Sequence, residues 1–475
     1  MEIAPHHEAA GMTKPRTVGE LRQTGYAPRS VKTEVRQNLI RKLERGEAIF
    51  PGIIGFDETV LPQLENALLS GQDVILLGER GQAKSRLARS LVTLLDETVP
   101  ALVGSEVNDD PLQPISKAGR ALVAELGDRA PVEWLPRERR YGEKLATPDI
   151  TIADLIGEVD PIRVAEGRYL ADELTIHYGL LPRTHRGIFV LNELPDLAER
   201  IQVGLLNIME ERDVQIRGYL VRLALDLLVV ASANPEDYTN RGRIITPLKD
   251  RFGSQVRTHY PKTLAHEIDI VEQEATRFSS DGYQVEVPAY MQEIVAELTH
   301  LARRSPEISQ RSGVSVRVTI TNHENVVSNA LRRAVRLRES LAVPRVSDLG
   351  AALPSTAGKI ELEAAGDGDE GKVVERLTQK AVLTVFNRHF QAAQFGELLE
   401  AFGRGLTWEV GEAMPAGDYD RQARRATGFG AAMTRLGAAG HPARVAAAVE
   451  FVLEGLHLNR KLNKDRGAGG PRYKA

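Results

Sequence analysis

Gly78-Glu79-Arg80-Gly81-Gln82-Ala83-Lys84-Ser85 is the stretch that decides how this chain folds. It follows Asp73-Val-Ile-Leu-Leu77, a short apolar run of buried-strand type, and it opens a helical pattern from about Lys84 to Leu95. A glycine-bearing turn between a strand and a helix is where a Walker A loop belongs. Its glycines let backbone N–H groups wrap phosphates, and the helix start adds partial positive charge. Lys84 can reach the outer phosphates, and the Ser85 hydroxyl can ligate Mg²⁺. Ala83 stands where glycine is commonest, at little cost provided its φ is negative.

Working outward, Gly187-Ile-Phe-Val-Leu191 is a second buried-strand run, and it ends in Asn192-Glu193. That pattern fits Walker B, in which the second polar residue polarises the attacking water. Glu193 is therefore the expected catalytic residue. The first position is usually aspartate, beside the metal. Asn192 keeps the shape and one acceptor oxygen but loses a negative charge. A third run, Leu225 to Ser232, leads into Asn234, placed to sense the γ-phosphate or the water. Strands alternating with helices predict an α/β fold with a mostly parallel sheet core.

Residues 1–30 read as a flexible N-terminal arm, 31–261 as the nucleotide-binding α/β domain, and 99–147 within it as an irregular surface insertion. Helical periodicity then predicts a lid over 262–344. A linker over 345–371, a helical C-terminal region over 372–463 and a disordered tail over 464–475 follow. A β-hairpin is expected around Gly218. The 475 residues suit two or three domains. The absence of cysteine removes disulfides and thiol chemistry, and a net charge of −4 argues against a chain that coats nucleic acid or a membrane surface. The start of the sequence lacks the apolar core of a signal peptide, and no stretch approaches a bilayer span, so a cytoplasmic location is expected.

From about Phe50 to Arg338 the sequence resembles AAA+ proteins of the magnesium chelatase ATPase-subunit and MoxR group. The resemblance rests on the loop at 78–85, with its alanine before the lysine, and on Pro182-Arg-Thr-His-Arg-Gly187 leading into Walker B. It rests equally on Ala233-Asn234-Pro235-Glu236 and on Asp250-Arg251-Phe252-Gly253. It implies an AAA+ P-loop NTPase using ATP and Mg²⁺, with Ile54 and Gly55 near the adenine. It further implies Arg251 as an arginine finger acting across a subunit interface and Arg317 as the lid's sensor arginine, with Arg311 as another candidate for that role. A homo-oligomeric ring (a hexamer) and a separate von Willebrand A-type partner are implied in the same way.

Three functions fit these residues: a motor that remodels a partner protein, a nucleotide-gated scaffold with little hydrolysis, and a DNA-linked transcription regulator. Asn192 is the support for the second. The third draws on a basic face of Arg332, Arg333, Arg336 and Arg338, but no confident helix-turn-helix follows 372. His177 and His185 lack metal-ligand spacing and read as ordinary polar contacts.

Overall fold

Five short segments, three of them apolar runs, supply the central sheet of the computed structural model. The model describes residues 14–160, 162, 165, 173–210, 223–234, 242–278, 282–309, 313–363, 369–467 and 470–475. The strands are β1 (Val74–Leu77), β2 (Tyr141–Leu145), β3 (Gly187–Asn192), β4 (Leu227–Ala233) and β5 (Ser254–Arg257). They pair in the order β2-β3-β4-β1-β5, every pair parallel. Alternation along each strand sends Val74, Leu76, Ile188 and Val190 to one face and Ile75, Leu77, Phe189 and Leu191 to the other. Both faces are buried, which a parallel sheet requires. Helices α1 (Val31–Glu44), α2 (Val60–Leu69) and α3 (Lys84–Ser90) cover the first face. Helix α4 (Glu199–Glu210) covers the second with Ile201, Leu205 and Ile208. The helix expected from Lys84 to Leu95 tightens to a 3₁₀ turn over Leu91–Leu94.

Two sequence expectations fail in this unit. The stretch 99–147 is not an irregular insertion. Residues 141–145 form β2 of the central sheet, and Thr98–Leu102 pairs antiparallel with Val132–Pro136. β2 is an edge strand with partly exposed side chains, so it lacks the apolar run that betrays the interior strands. Nor is the arm free over its described part. Val18–Gln23 is a helix capped by Thr17, Val18 is fully buried, and its N–H donates to Ala130 O at 3.0 Å. The hairpin around Gly218 falls outside the described residues.

The chain divides into two compact units, the first holding 1–79 and 83–259, the second 80–82 and 260–475. In the second, the stretch 262–344 holds helices α5 (Leu264–Glu274), α6 (Ala289–Arg304) and α7 (Val316–Leu337). The expected linker is largely structured. Val346–Ala352 and Leu353–Ala357 are helical, and Leu349, Ala352 and Ile360 join one core with α6, α7, α8 (Asp369–His389) and α9 (Pro442–Leu458). The tail is ordered too. Asn463–Arg466 and Pro471–Lys474 form a three-stranded antiparallel sheet with Trp408–Glu409. Tyr473 anchors it, buried, with its hydroxyl donated to Glu454. No helix among the described residues is long and apolar enough to cross a membrane.

Candidate functional site

The carboxyl ends of β1, β4 and β3 lie side by side, with β4 in the middle. They carry the loop at 78–85, Asn234, and the pair Asn192-Glu193. In α/β sheets ligands bind at this end of the strands. The Gly78 N–H donates to Ala233 O at 3.0 Å, tying the loop's first residue to the middle strand. Gly81 turns the loop at φ 77°, and Ala83 enters α3 in the left-handed region at φ 55°, ψ 13°. The condition for an inexpensive alanine, a negative φ, is therefore not met. The Lys84 ammonium is almost buried and donates to Gly78 O at 2.5 Å and Glu79 O at 2.9 Å. It lies on the loop's own carbonyls, with Gln82 buried beside it in sequence and Ser85 exposed. Arg80, Gly81 and Gln82 group with the second unit, in which the Tyr260 hydroxyl donates to Arg80 O at 2.9 Å.

Glu193, like Ala83, is left-handed, at φ 54°, and its N–H donates to the Ser232 hydroxyl at 3.2 Å. Strain of this kind clusters at functional positions. Asn192 is nearly buried and uses both ends of its amide. Its Oδ1 accepts from Ser232 Oγ at 3.0 Å, and its Nδ2 donates to Glu143 Oε1 at 2.6 Å. Glu143 sits on β2 and takes a forked pair from Arg89, Nε at 2.8 Å and Nη2 at 3.0 Å, with the Tyr141 hydroxyl at 3.1 Å. Hydrogen bonding from Arg89 outweighs partial burial and holds the Glu143 carboxyl below the usual range. Reading 99–147 as an insertion hid Glu143 and Tyr141. The four-residue step from Ser85 to Arg89 puts those two on one face of α3 but does not point to their partners on β2.

The remaining expected residues lie on other elements. Arg251 ends the helix Thr246–Arg251 and pairs with Glu210. Arg317 is exposed on the first turn of α7, in the second unit. Gly55, at φ 77°, follows Ile54 and leads into Phe56, whose ring meets His259 edge-on at 5.0 Å. The residue Arg311 lies outside the described residues. His185 is buried, and its Nδ1 accepts the Asp226 N–H at 2.9 Å. Burial, with Arg186 nearby, pushes it down to about 3, so it is a neutral structural histidine. Among the described residues no group of three His, Asp or Glu could hold a metal by itself.

No protein-family model matches the chain. It is similar to the magnesium-chelatase subunit ChlI, chloroplastic, of Oryza sativa subsp. japonica. The two are 25% identical over 351 residues, 69% of this chain and 79% of that one. It is also similar to magnesium-chelatase subunit ChlI of a Nostoc species, 25% identical over 264 residues, 54% of this chain and 65% of that one. A cryo-EM-based structure of the complex between subunits BchI and BchD of magnesium chelatase matches at 20% identity and a TM-score of 0.36. That match covers 69% of this chain and 98% of the other.

Proposed function

Taking the chain as an AAA+ ATPase of the magnesium chelatase ATPase-subunit group, as its sequence relatives support, we propose that it binds Mg·ATP at 78–85 and hydrolyses it to remodel a partner protein. The observation that carries this is the alignment of loop, Asn234 and Asn192-Glu193 on three adjacent parallel strands. Backbone N–H groups of the loop hold the phosphates, and Lys84 leaves the loop carbonyls to meet them. The residues fit a magnesium site of oxygen donors, with the Ser85 hydroxyl and the Asn192 amide oxygen at hand. The cation, when bound, neutralises charge on the phosphates. Glu193 orients the water and draws off its proton, while Asn234 senses the outer phosphate. Ile54 and Gly55 border the base. Arg251 reaches the phosphate held by a neighbouring copy in a ring, Arg317 closes from the lid, and a von Willebrand A-type protein is the proposed partner. A cytoplasmic setting goes with this reading.

The test is Mg²⁺-dependent phosphate release by the purified protein beside Glu193→Gln. Loss of about 10²–10⁴-fold in turnover with ATP affinity retained supports the motor. Tight ATP binding with no turnover in wild type sinks it and leaves the nucleotide-gated scaffold, the reading that Asn192 favours. The DNA-linked reading is weaker, because its basic face is partly spent inside the fold. Arg333 is buried against Asp348 at 2.9 Å, and Arg332 pairs with Glu412 at 3.2 Å.

A further inference from the structure

Position 192 ends β3 as an amide, so Ser85 and Asn192 together bring no negative charge to a cation. Magnesium beside nucleotide phosphates is ordinarily reached from the protein through one or two carboxylates, while keeping several of its waters. A carboxylate in direct contact with Asn192 comes from the neighbouring strand. Glu143 Oε1 accepts the Asn192 amide at 2.6 Å, and Ser232 fixes the other end of that amide. This pairing requires an amide at 192. An aspartate there would set one carboxylate oxygen against another at close range, a strong repulsion in a half-buried place.

Glu143 is also aimed. Arg89 grips both of its oxygens from α3, and Tyr141 adds a third donor. Arg89 lies four residues beyond Ser85, on the same face of α3. Helical side chains lean toward the helix N-terminus, so the guanidinium, and the carboxylate it clasps, lie toward the turn that carries Ser85.

We propose that Glu143 supplies the negative charge that Asn192 lacks, acting on the water shell of the nucleotide-bound magnesium from the adjacent strand. Arg89, Tyr141 and Asn192 hold it there. Glu143 is a positioning residue for the cation, and its role rests on the reading that 78–85 binds Mg·ATP.

The test uses the full chain and a fluorescent ATP analogue, titrated once in Mg²⁺ and once in EDTA. The affinity in EDTA reads the loop alone, and the ratio of the two reads the cation. For wild type, binding should be tighter with Mg²⁺. Glu143→Gln should cut that gain about tenfold or more, while leaving the EDTA affinity in place. Adding Asn192→Asp to Glu143→Gln returns a carboxylate to the site without the clash, and should restore the gain. Should Glu143→Gln weaken both affinities, the double variant decides, since it keeps the same glutamine: recovery supports the proposal and none overturns it. An unchanged Mg²⁺ gain in Glu143→Gln overturns the role of Glu143 and leaves the nucleotide site standing. No binding by wild type in either buffer removes the nucleotide site, and this proposal with it.

Discussion

Arg251 closes on both carboxylate oxygens of Glu210, each at 2.8 Å. Glu210 is the last residue of α4, where a negative charge opposes the helix dipole, and Arg251 compensates it. A finger acting in trans must leave this partner. The pair is open to solvent, which screens it, so releasing it is inexpensive. Glu210→Gln is expected to raise ATP turnover, by no more than about fivefold. Arg251→Ala is expected to lower it by about 10³-fold or more. Mixing Arg251→Ala with Glu193→Gln subunits should recover part of the activity, since each then supplies what the other lacks. Two inactive variants that stay inactive when mixed would show that the finger does not act across an interface.

Ala83 makes a separate forecast. A left-handed alanine costs about 1–2 kcal/mol, and glycine gives back part of that through a freer unfolded chain. Ala83→Gly should therefore stabilise the protein by about 0.5–1 kcal/mol in urea unfolding. If it destabilises instead, the alanine methyl is making a packing contact that outweighs its backbone strain.

Acid sensitivity follows from two buried groups. Burial alone would raise the Glu267 carboxyl, but hydrogen bonds from His300, Arg303 and Thr319 and the charge of Arg303 hold it down at about 2. A depressed carboxylate contributes stability above its ordinary 4.5 and loses it as pH falls toward 2. His185, lowered from 6.5 to about 3, likewise contributes above 6.5 and loses its share below. Each unit also carries one tryptophan, Trp134 in the first and Trp408 in the second. In Trp134→Phe protein, Trp408 should report the second unit failing below pH 4.5. Glu267→Gln should flatten that limb and cost about 3 kcal/mol at neutral pH. An acid limb unchanged by Glu267→Gln would remove Glu267 as its cause.

The core of the second unit offers a purely steric check. A Cβ at Gly455 in α9 would lie 2.0 Å from the Phe386 ring of α8. Gly455→Ala should destabilise by about 1–3 kcal/mol, although alanine is the better helix former. A stabilised variant would mean that the two helices do not pack this closely.

Much of this molecule was readable before any coordinates. β1, β3 and β4 are interior strands whose apolar runs cannot be anything but buried, and the chemistry sits at their ends in chain order. What escaped was structure without that signature. Tyr141-Gly-Glu-Lys-Leu145 is an edge strand, half polar, and its pairing with β3 is a long-range fact. The tail's glycines and lysines conceal one buried tyrosine that fixes it. The linker hides Leu349 and Ile360, apolar residues too few and irregular to announce a helix. Within the site, 78–85 and 192–193 were local patterns, whereas Glu143 could be found only from its neighbours in space. The sign of φ at Ala83, on which the cost of an alanine there depends, is a property of the backbone that composition does not constrain.

The 2.6 Å contact between Asn192 and Glu143 also bears on how such a chain can diverge. If one carboxylate serves the site, changing either position alone passes through a form with none or with two. Neither step is then neutral, and the residues at 143 and 192 should change together. Relatives with aspartate at the position of 192 should be those without glutamate at the position of 143.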